Sequence, residues 1–271
     1  MNTTRNLRIV FGTVLCVVLA LGLFAGQVSR YSYSKQFRES PNAPPSKSHL
    51  LGTDALGRDV FVRLLYGTRV SLLLAPAAAF LSTMIAALLG AIAGFASGWP
   101  EKLILAVADL SMALPLFFVL LALRAVLPLD VSPVLSVIAT FALLGLLGWP
   151  SALRVVWASA RSLRNSDFLL LARASGCSRW RIVLRHVLPN LRPVMLAQFW
   201  VSIPIYILAE ATLSMLGLGV MEPLPSWGNL LRGLEDFSVV SANPWRLAPL
   251  MLLVLVVVSF QFILPPQEEI A

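Results

Sequence analysis

Four stretches of this chain contain no Asp, Glu, Lys or Arg: Ile9–Ser29, Val70–Pro100, Val131–Leu153 and Leu247–Gln267. Each reaches the length of ~20 apolar residues that carries a helix across a ~30 Å hydrocarbon layer. The chain therefore reads as an all-α polytopic membrane protein. Its composition agrees, with 58% hydrophobic and 13% charged residues in 271. Soluble domains carry about 25% charged residues, so a single soluble core could not hide this much apolar surface.

Other classes fall for want of residues. His49 and His186 are the only histidines, and Cys16 and Cys177 lie far apart, so neither a disulfide framework nor a Cys/His zinc cluster can be built. The net charge of +8 comes from basic residues that punctuate the apolar runs rather than forming an aromatic-interleaved patch. That distribution fits lipid headgroups and cytoplasmic retention better than nucleic acid. No repeat of 20–50 residues is present.

Six spans are expected, at about 9–29, 70–97, 103–127, 133–150, 194–217 and 247–265. The first follows Arg5 and Arg8 like a signal peptide, but its apolar core is too long and Ala25-Gly26-Gln27 is a poor cleavage site. It reads as a retained anchor with a cytoplasmic N-terminus. Gly98-Trp99-Pro100 and Leu127-Pro128-Leu129 mark the turns around the third span, and Pro115 predicts a kink within it. Three segments result: 1–69, an anchor plus an external segment with a turn-rich stretch at 41–45; 70–265, the membrane core; and 266–271, a short tail. Six crossings return the C-terminus to the cytoplasmic side. Basic totals do not decide orientation, since eleven of 21 fall inside and ten outside. The density of 154–192 does: eight arginines against one acid, Asp167, place that loop in the cytoplasm.

Within this loop Asn165-Ser166-Asp167 is an N-cap cluster ahead of Phe168–Ala174, and Gly176 fits the position after a helix end. Ser178 caps a second helix, Arg179 to Leu188, which Pro189 stops. Ile182, Val183, Val187 and, less closely, Trp180 share one side; Arg181 and Arg185 share another. A two-helix hairpin with an apolar stripe and a basic rim suits a groove in another protein. Adsorption to anionic lipid fits the same pattern.

The stretch Ala172-Arg173-Ala174-Ser175-Gly176 followed by Arg181–Asn190 resembles the cytoplasmic EAA loop of ABC-importer permeases. His49–Val60, reading His-Leu-Leu-Gly-Thr-Asp-Ala-Leu-Gly-Arg-Asp-Val, resembles the segment after the first span in the dipeptide/oligopeptide/nickel group. Ala209–Gly219 with Pro225-Ser226-Trp227-Gly228-Asn229 resembles the fifth span and following loop of the C-type subunit of that group. The motifs occur in order over roughly residues 49–260. Two departures stand out: Leu170 and Leu171 replace the family's leading Glu and first Ala, and the chain ends Leu264-Pro265-Pro266-Gln267-Glu268-Glu269-Ile270-Ala271 in place of a basic tail.

The resemblance implies a permease that forms half of a pathway for peptides, nickel or related small solutes in a bacterial inner membrane. It also implies a second homologous permease, two ATP-binding subunits and an extracytoplasmic solute-binding protein. Ala172, Arg173, Ala174, Gly176, Ser178, Trp180 and Arg181 would then form the ATPase-coupling surface. The chain has no Gly-x-x-x-x-Gly-Lys-Ser/Thr loop, so ATP and magnesium would be bound by the partner subunits and no covalent chemistry would occur in this chain.

Glu210 lies in an apolar span, where a carboxylate needs a partner or water. It reads as a cavity-lining group, a helix–helix hydrogen bond, or a stem residue whose carboxylate reaches the outer interface. Asp109 raises the same question, and Ser214 joins them as a pathway or helix-packing residue. Asp54 and Asp59 resemble an acid–base pair, but no nucleophile or metal site accompanies them. The better reading has Thr53 or Asp54 capping a short interfacial helix that presents Val60, Phe61, Leu64 and Leu65, with Arg58, Asp59 and Arg63 elsewhere. Trp227 and Asn229 belong to an outer loop, Trp227 either as a membrane-interface tryptophan or as a contact for a binding protein. An ion-driven transporter would need several intramembrane acids and matched broken helices, and an intramembrane enzyme a constellation of groups; neither pattern is present.

Overall fold

A computed structural model of the chain describes residues 2–96, 98–126, 132–164, 166–235 and 237–263. Among these residues the structure is helical, with isolated β-bridges at Gln36–Arg58 and Thr53–Asp59 as the only extended pairing. In chain order the helices are α1 (Asn2–Leu23), α2 (Ala25–Val28), α3 (Val60–Phe95), α4 (Trp99–Ala113), α5 (Leu116–Val126), α6 (Pro133–Leu147) and α7 (Trp149–Leu163). They are followed by α8 (Asp167–Ala174), α9 (Arg179–Ile182), α10 (Leu188–Asn190), α11 (Arg192–Met215), α12 (Trp227–Arg232), α13 (Phe237–Ala242) and α14 (Ala248–Ile263).

Five segments are long and apolar enough to cross a membrane, and a sixth crossing is made if α4 and α5 count as one bent span. The bend is 80°. Pro115 causes it: Leu114 is held extended at φ −94° and ψ 124°, the conformation a following proline imposes. The kink expected at Pro115 is therefore a full break.

Three boundaries differ from expectation. The interfacial helix expected before the second span does not exist separately, because Val60–Leu65 are the first turns of the 36-residue α3. Asp59, rather than Thr53 or Asp54, caps it by accepting the Val62 N–H at 2.9 Å. The helical segment of the fourth span runs on through α7 to Leu163, so Arg154 and Arg161 belong to a helix and not to a loop. Asn165, the turn at 127–129 and the tail 266–271 lie outside the described residues.

The chain divides into two compact units. The first comprises Met1–Ala75, Leu123–Phe141 and Pro204–Leu264. Here α1 packs along α14, with Phe11 and Phe262 stacked at 4.5 Å. The second comprises, among the described residues, Pro76–Ala122 and Ala142–Ile203. In it α4 packs on α7, while Gly90 and Gly94 of α3 face α7. A Cβ on Gly94 would lie 2.6 Å from that of Ala160, and one on Gly90 would lie 2.9 Å from Val156 Cγ1. This Gly-x-x-x-Gly spacing lets two backbones approach within lipid, where close packing rather than hydrophobicity holds helices together.

Candidate functional site

The hairpin at 167–190 belongs to the second unit. Helix α8 ends at Ala174, and Gly176 follows at φ +77°, the left-handed geometry that glycine adopts without strain. Ser178 then caps α9, its hydroxyl accepting the Arg181 N–H at 3.4 Å. Pro189 does not end the helical path. Val183–Val187 widen into a π-helical turn in which the Leu188 N–H donates to the Val183 carbonyl five residues back. Pro189 then enters the first turn of α10, where its missing N–H is tolerated.

The apolar stripe points inward. Ile182, Val183 and Val187 are buried with Leu169 and Leu191 against Ala91 of α3 and Val156 and Ala160 of α7. It anchors the hairpin to its own helices and leaves nothing of itself for a partner. Trp180 departs from the stripe and is 62% exposed. Leu171 at 68%, Leu184 at 54% and Phe168 are exposed as well, as are Arg181 and Arg185. Ala174, Gly176 and Ser178 are also exposed. Ala172 and Arg173 lie on α8, but their side chains are outside the described set. Among the described residues Leu171 is the most exposed large apolar residue of the hairpin.

Several charges nearby are internally paired. Asp109 on α4 pairs with Arg154 on α7, and Glu101 pairs with Arg161 while accepting the Trp157 Nε1–H at 3.1 Å. Both guanidinium groups lie over the Trp157 ring, at 5.7 and 5.4 Å. Arg164 donates to the Ala96 carbonyl at 3.3 Å. Asp109 thus fastens α4 to α7, and its position is exposed.

Glu210 lies in the first unit and is fully buried, so its carboxylate does not reach the outer interface. Ser214 Oγ donates to Glu210 Oε1 at 2.6 Å and accepts the Val220 N–H at 3.1 Å. Ser226 and the backbone of Gly228 lie beside the same carboxyl. Trp227 is likewise fully buried, its Nε1–H donated to Thr68 Oγ1 at 3.0 Å. It is therefore neither a membrane-interface residue nor a surface contact. Ser226 and Asn229 form a reciprocal cap at the start of α12, and Asn229 Nδ2 also donates to the Leu224 carbonyl at 2.8 Å.

Asp54 and Asp59 do not form an acid–base pair. Asp59 accepts from His49 Nδ1 at 2.7 Å as well as capping α3. Asp54 accepts the N–H groups of Leu56 and Arg58 and the Arg58 Nε–H, the last at 2.7 Å. Arg58 and Arg63 converge on Glu222, which sequence reasoning missed because 159 residues separate Arg63 from Glu222. The buried Arg124 was also missed, although a lone cation in an apolar helix is itself a signal; it donates to Ser136 Oγ at 2.6 Å. Among the described residues no three His, Cys, Asp or Glu side chains are grouped to hold a metal ion.

Residues 86–265 match the family described as binding-protein-dependent transport system inner membrane component. The oligopeptide transport system permease protein OppC of Bacillus subtilis (strain 168) is 32% identical over 244 residues, covering 90% of this chain and 77% of that protein. The dipeptide transport system permease protein DppC of the same organism is 31% identical over 235 residues, 86% and 71% of the two chains. The glutathione transport system permease protein GsiD of Pectobacterium atrosepticum is 28% identical over 260 residues, 96% and 84%.

Proposed function

Because this chain belongs to the family of binding-protein-dependent transport system inner membrane components, the permease subunits of ABC importers, we propose that it forms half of a peptide pathway driven through the hairpin at 167–190. The observation that carries this reading is the exposure of Leu171, Trp180, Leu184, Arg181 and Arg185 on that hairpin. An exposed tryptophan on the same hairpin as exposed leucines and arginines is the composition of an interface anchor. The chain lacks a phosphate-binding loop, so ATP and magnesium are held by two partner ATPase subunits, one beneath each permease.

The hairpin is cytoplasmic, as are both termini, and the segments 30–59 and 216–243 face the other side, where a solute-binding protein delivers substrate. ATP binding closes the ATPase pair and displaces the hairpin. Its inward stripe, packed on α3 and α7, passes that displacement to the spans, and a bistable membrane core switches its opening. The relatives named for oligopeptides, dipeptides and glutathione support short peptides as the substrate class.

The test is uptake of a labelled dipeptide into proteoliposomes that hold this chain with its second permease, ATPases and binding protein. Gly176→Pro removes the left-handed turn; uptake is expected to fall about tenfold or more while ATP hydrolysis continues. Unchanged uptake in that variant, or uptake by this chain without ATPase subunits, overturns the reading.

A further inference from the structure

Just past the end of α2, the first unit contains a cavity of about 240 Å³. Its wall comes from residues 28–31, from Lys47, Ser48 and Leu50, and from the first turn of α3. Helix geometry fixes its depth in the membrane. Between Arg8 and Arg30 the chain is helical except at Phe24 and Ser29. At 1.5 Å per residue that path spans about 33 Å, close to the ~30 Å of the hydrocarbon layer. Arg8 and Arg30 therefore stand at opposite headgroup levels, with the cavity at the second. Tyrosines gather there, as they do at membrane interfaces. Tyr31 lines the cavity, the Tyr66 hydroxyl lies beside Gly26, and the Tyr33 and Tyr66 rings are 5.0 Å apart. Below this level α1 and α2 expose Leu21, Leu23 and Val28.

Two accessible cations border the cavity. Arg30 and Lys47 are both exposed, and neither has an ion pair among the described residues. Lys35 is already held over the Tyr31 and Phe37 rings, at 5.0 and 4.9 Å. The carboxylate in the wall, Asp59, is committed as well, its oxygens taking the Val62 N–H at 2.9 Å and His49 Nδ1 at 2.7 Å. Ser29 and Ser48 add hydroxyl groups to the wall. Charged and neutral donors at the headgroup level, above an exposed apolar helix, complement an anion whose tails remain in hydrocarbon. The volume is below the about 300–1,000 Å³ of pockets that enclose a whole small molecule, and it suits a headgroup alone.

We propose that this cavity binds the phosphodiester headgroup of an anionic membrane lipid, with Arg30 and Lys47 holding the phosphate and the acyl chains lying along α1. A zwitterionic lipid binds less well because it brings its own ammonium group to two cations. The site requires only that α1 crosses the bilayer, in either orientation, and so stands apart from the transport reading.

The test titrates dioctanoyl phosphatidylglycerol into the full chain, purified in mild detergent with the subunits that accompany it. Native mass spectrometry reads the tightest-bound lipid, and melting controls for folding. Wild type is expected to bind this lipid about tenfold more tightly than dioctanoyl phosphatidylcholine. Arg30→Gln combined with Lys47→Gln is expected to weaken it about tenfold, and Arg30→Lys to keep most of the affinity. Arg38→Gln removes an exposed cation of the same segment outside the wall, and should change nothing. Should the double variant melt early, Arg30→Gln alone carries the comparison with Arg38→Gln. An equal loss in Arg38→Gln would reduce the effect to diffuse surface charge and overturn the site. Equal binding of the two lipids by wild type, or undiminished binding by the double variant, overturns it too. Glycerol 3-phosphate displacing the lipid at the lipid's own concentration would mark a site for soluble phosphate and overturn the lipid assignment.

Discussion

Glu210 is a buried carboxylate with a structural partner of its own. Its carboxylate accepts from Ser214, which in turn accepts the Val220 N–H, tying the end of α11 to the loop after it. Glu210→Ala leaves a void and strands the Ser214 hydroxyl. The expected loss is about 2–4 kcal/mol, read as a lower thermal midpoint of the detergent-solubilised protein. A midpoint equal to wild type would refute that role. Gly228 carries a related constraint: a Cβ there would lie 2.5 Å from Ser214 Cβ and 2.7 Å from Ala211 Cα. Gly228→Ala is expected to destabilise by about 1–3 kcal/mol through overpacking, in the same assay. Gly176 is the contrasting case, with open space around it and a positive φ, so Gly176→Ala costs only about 1–2 kcal/mol of backbone strain. The roles of Gly176 and Ser178 were legible because caps and turns are local. That of Trp227 was not, because its partner Thr68 is 159 residues away and no local pattern encodes it.

Among the elements, the hairpin separates stability from coupling. Its inward side packs Ile182, Val183 and Val187 beneath α3 and α7, while Trp180 and Leu184 face out. Val187→Ala should therefore lower the melting midpoint, by an amount corresponding to about 2–3 kcal/mol. Trp180→Ala should leave melting within about 0.5 kcal/mol of wild type but weaken ATPase-subunit binding in a titration of the purified permease pair, by about tenfold or more. Equal effects of the two substitutions on both measurements would contradict this division. The 3.6-residue period found the buried stripe correctly but misjudged what covers it. Periodicity reports which face is apolar, not whether the apolar face meets a partner or the chain's own spans. The π-helical turn also rotates the register after Ile182, which a regular helix drawn from Ser178 to Pro189 cannot anticipate.

For the whole molecule, topology is the testable property. In a background lacking Cys16 and Cys177, Leu56→Cys and Leu171→Cys place thiols at two exposed positions that the proposed orientation puts on opposite sides. A membrane-impermeant maleimide applied to intact spheroplasts should label the first, and should label the second only after permeabilisation. Labelling of both from outside would invert the orientation. The amino-acid sequence by itself determined that the chain is built of membrane-crossing helices and where its hairpin turns. Charge-free runs, glycine, proline and capping residues act through hydrocarbon solvation and local backbone geometry, and need no distant partner. Only the tertiary structure decided that α3 begins at Val60, that Glu210 and Trp227 are buried, that Arg58 and Arg63 share Glu222, and that the hairpin's stripe is consumed internally. Those outcomes depend on which surfaces meet across more than a hundred residues, and in an apolar chain nearly every face is a candidate until close packing and hydrogen-bond satisfaction select one.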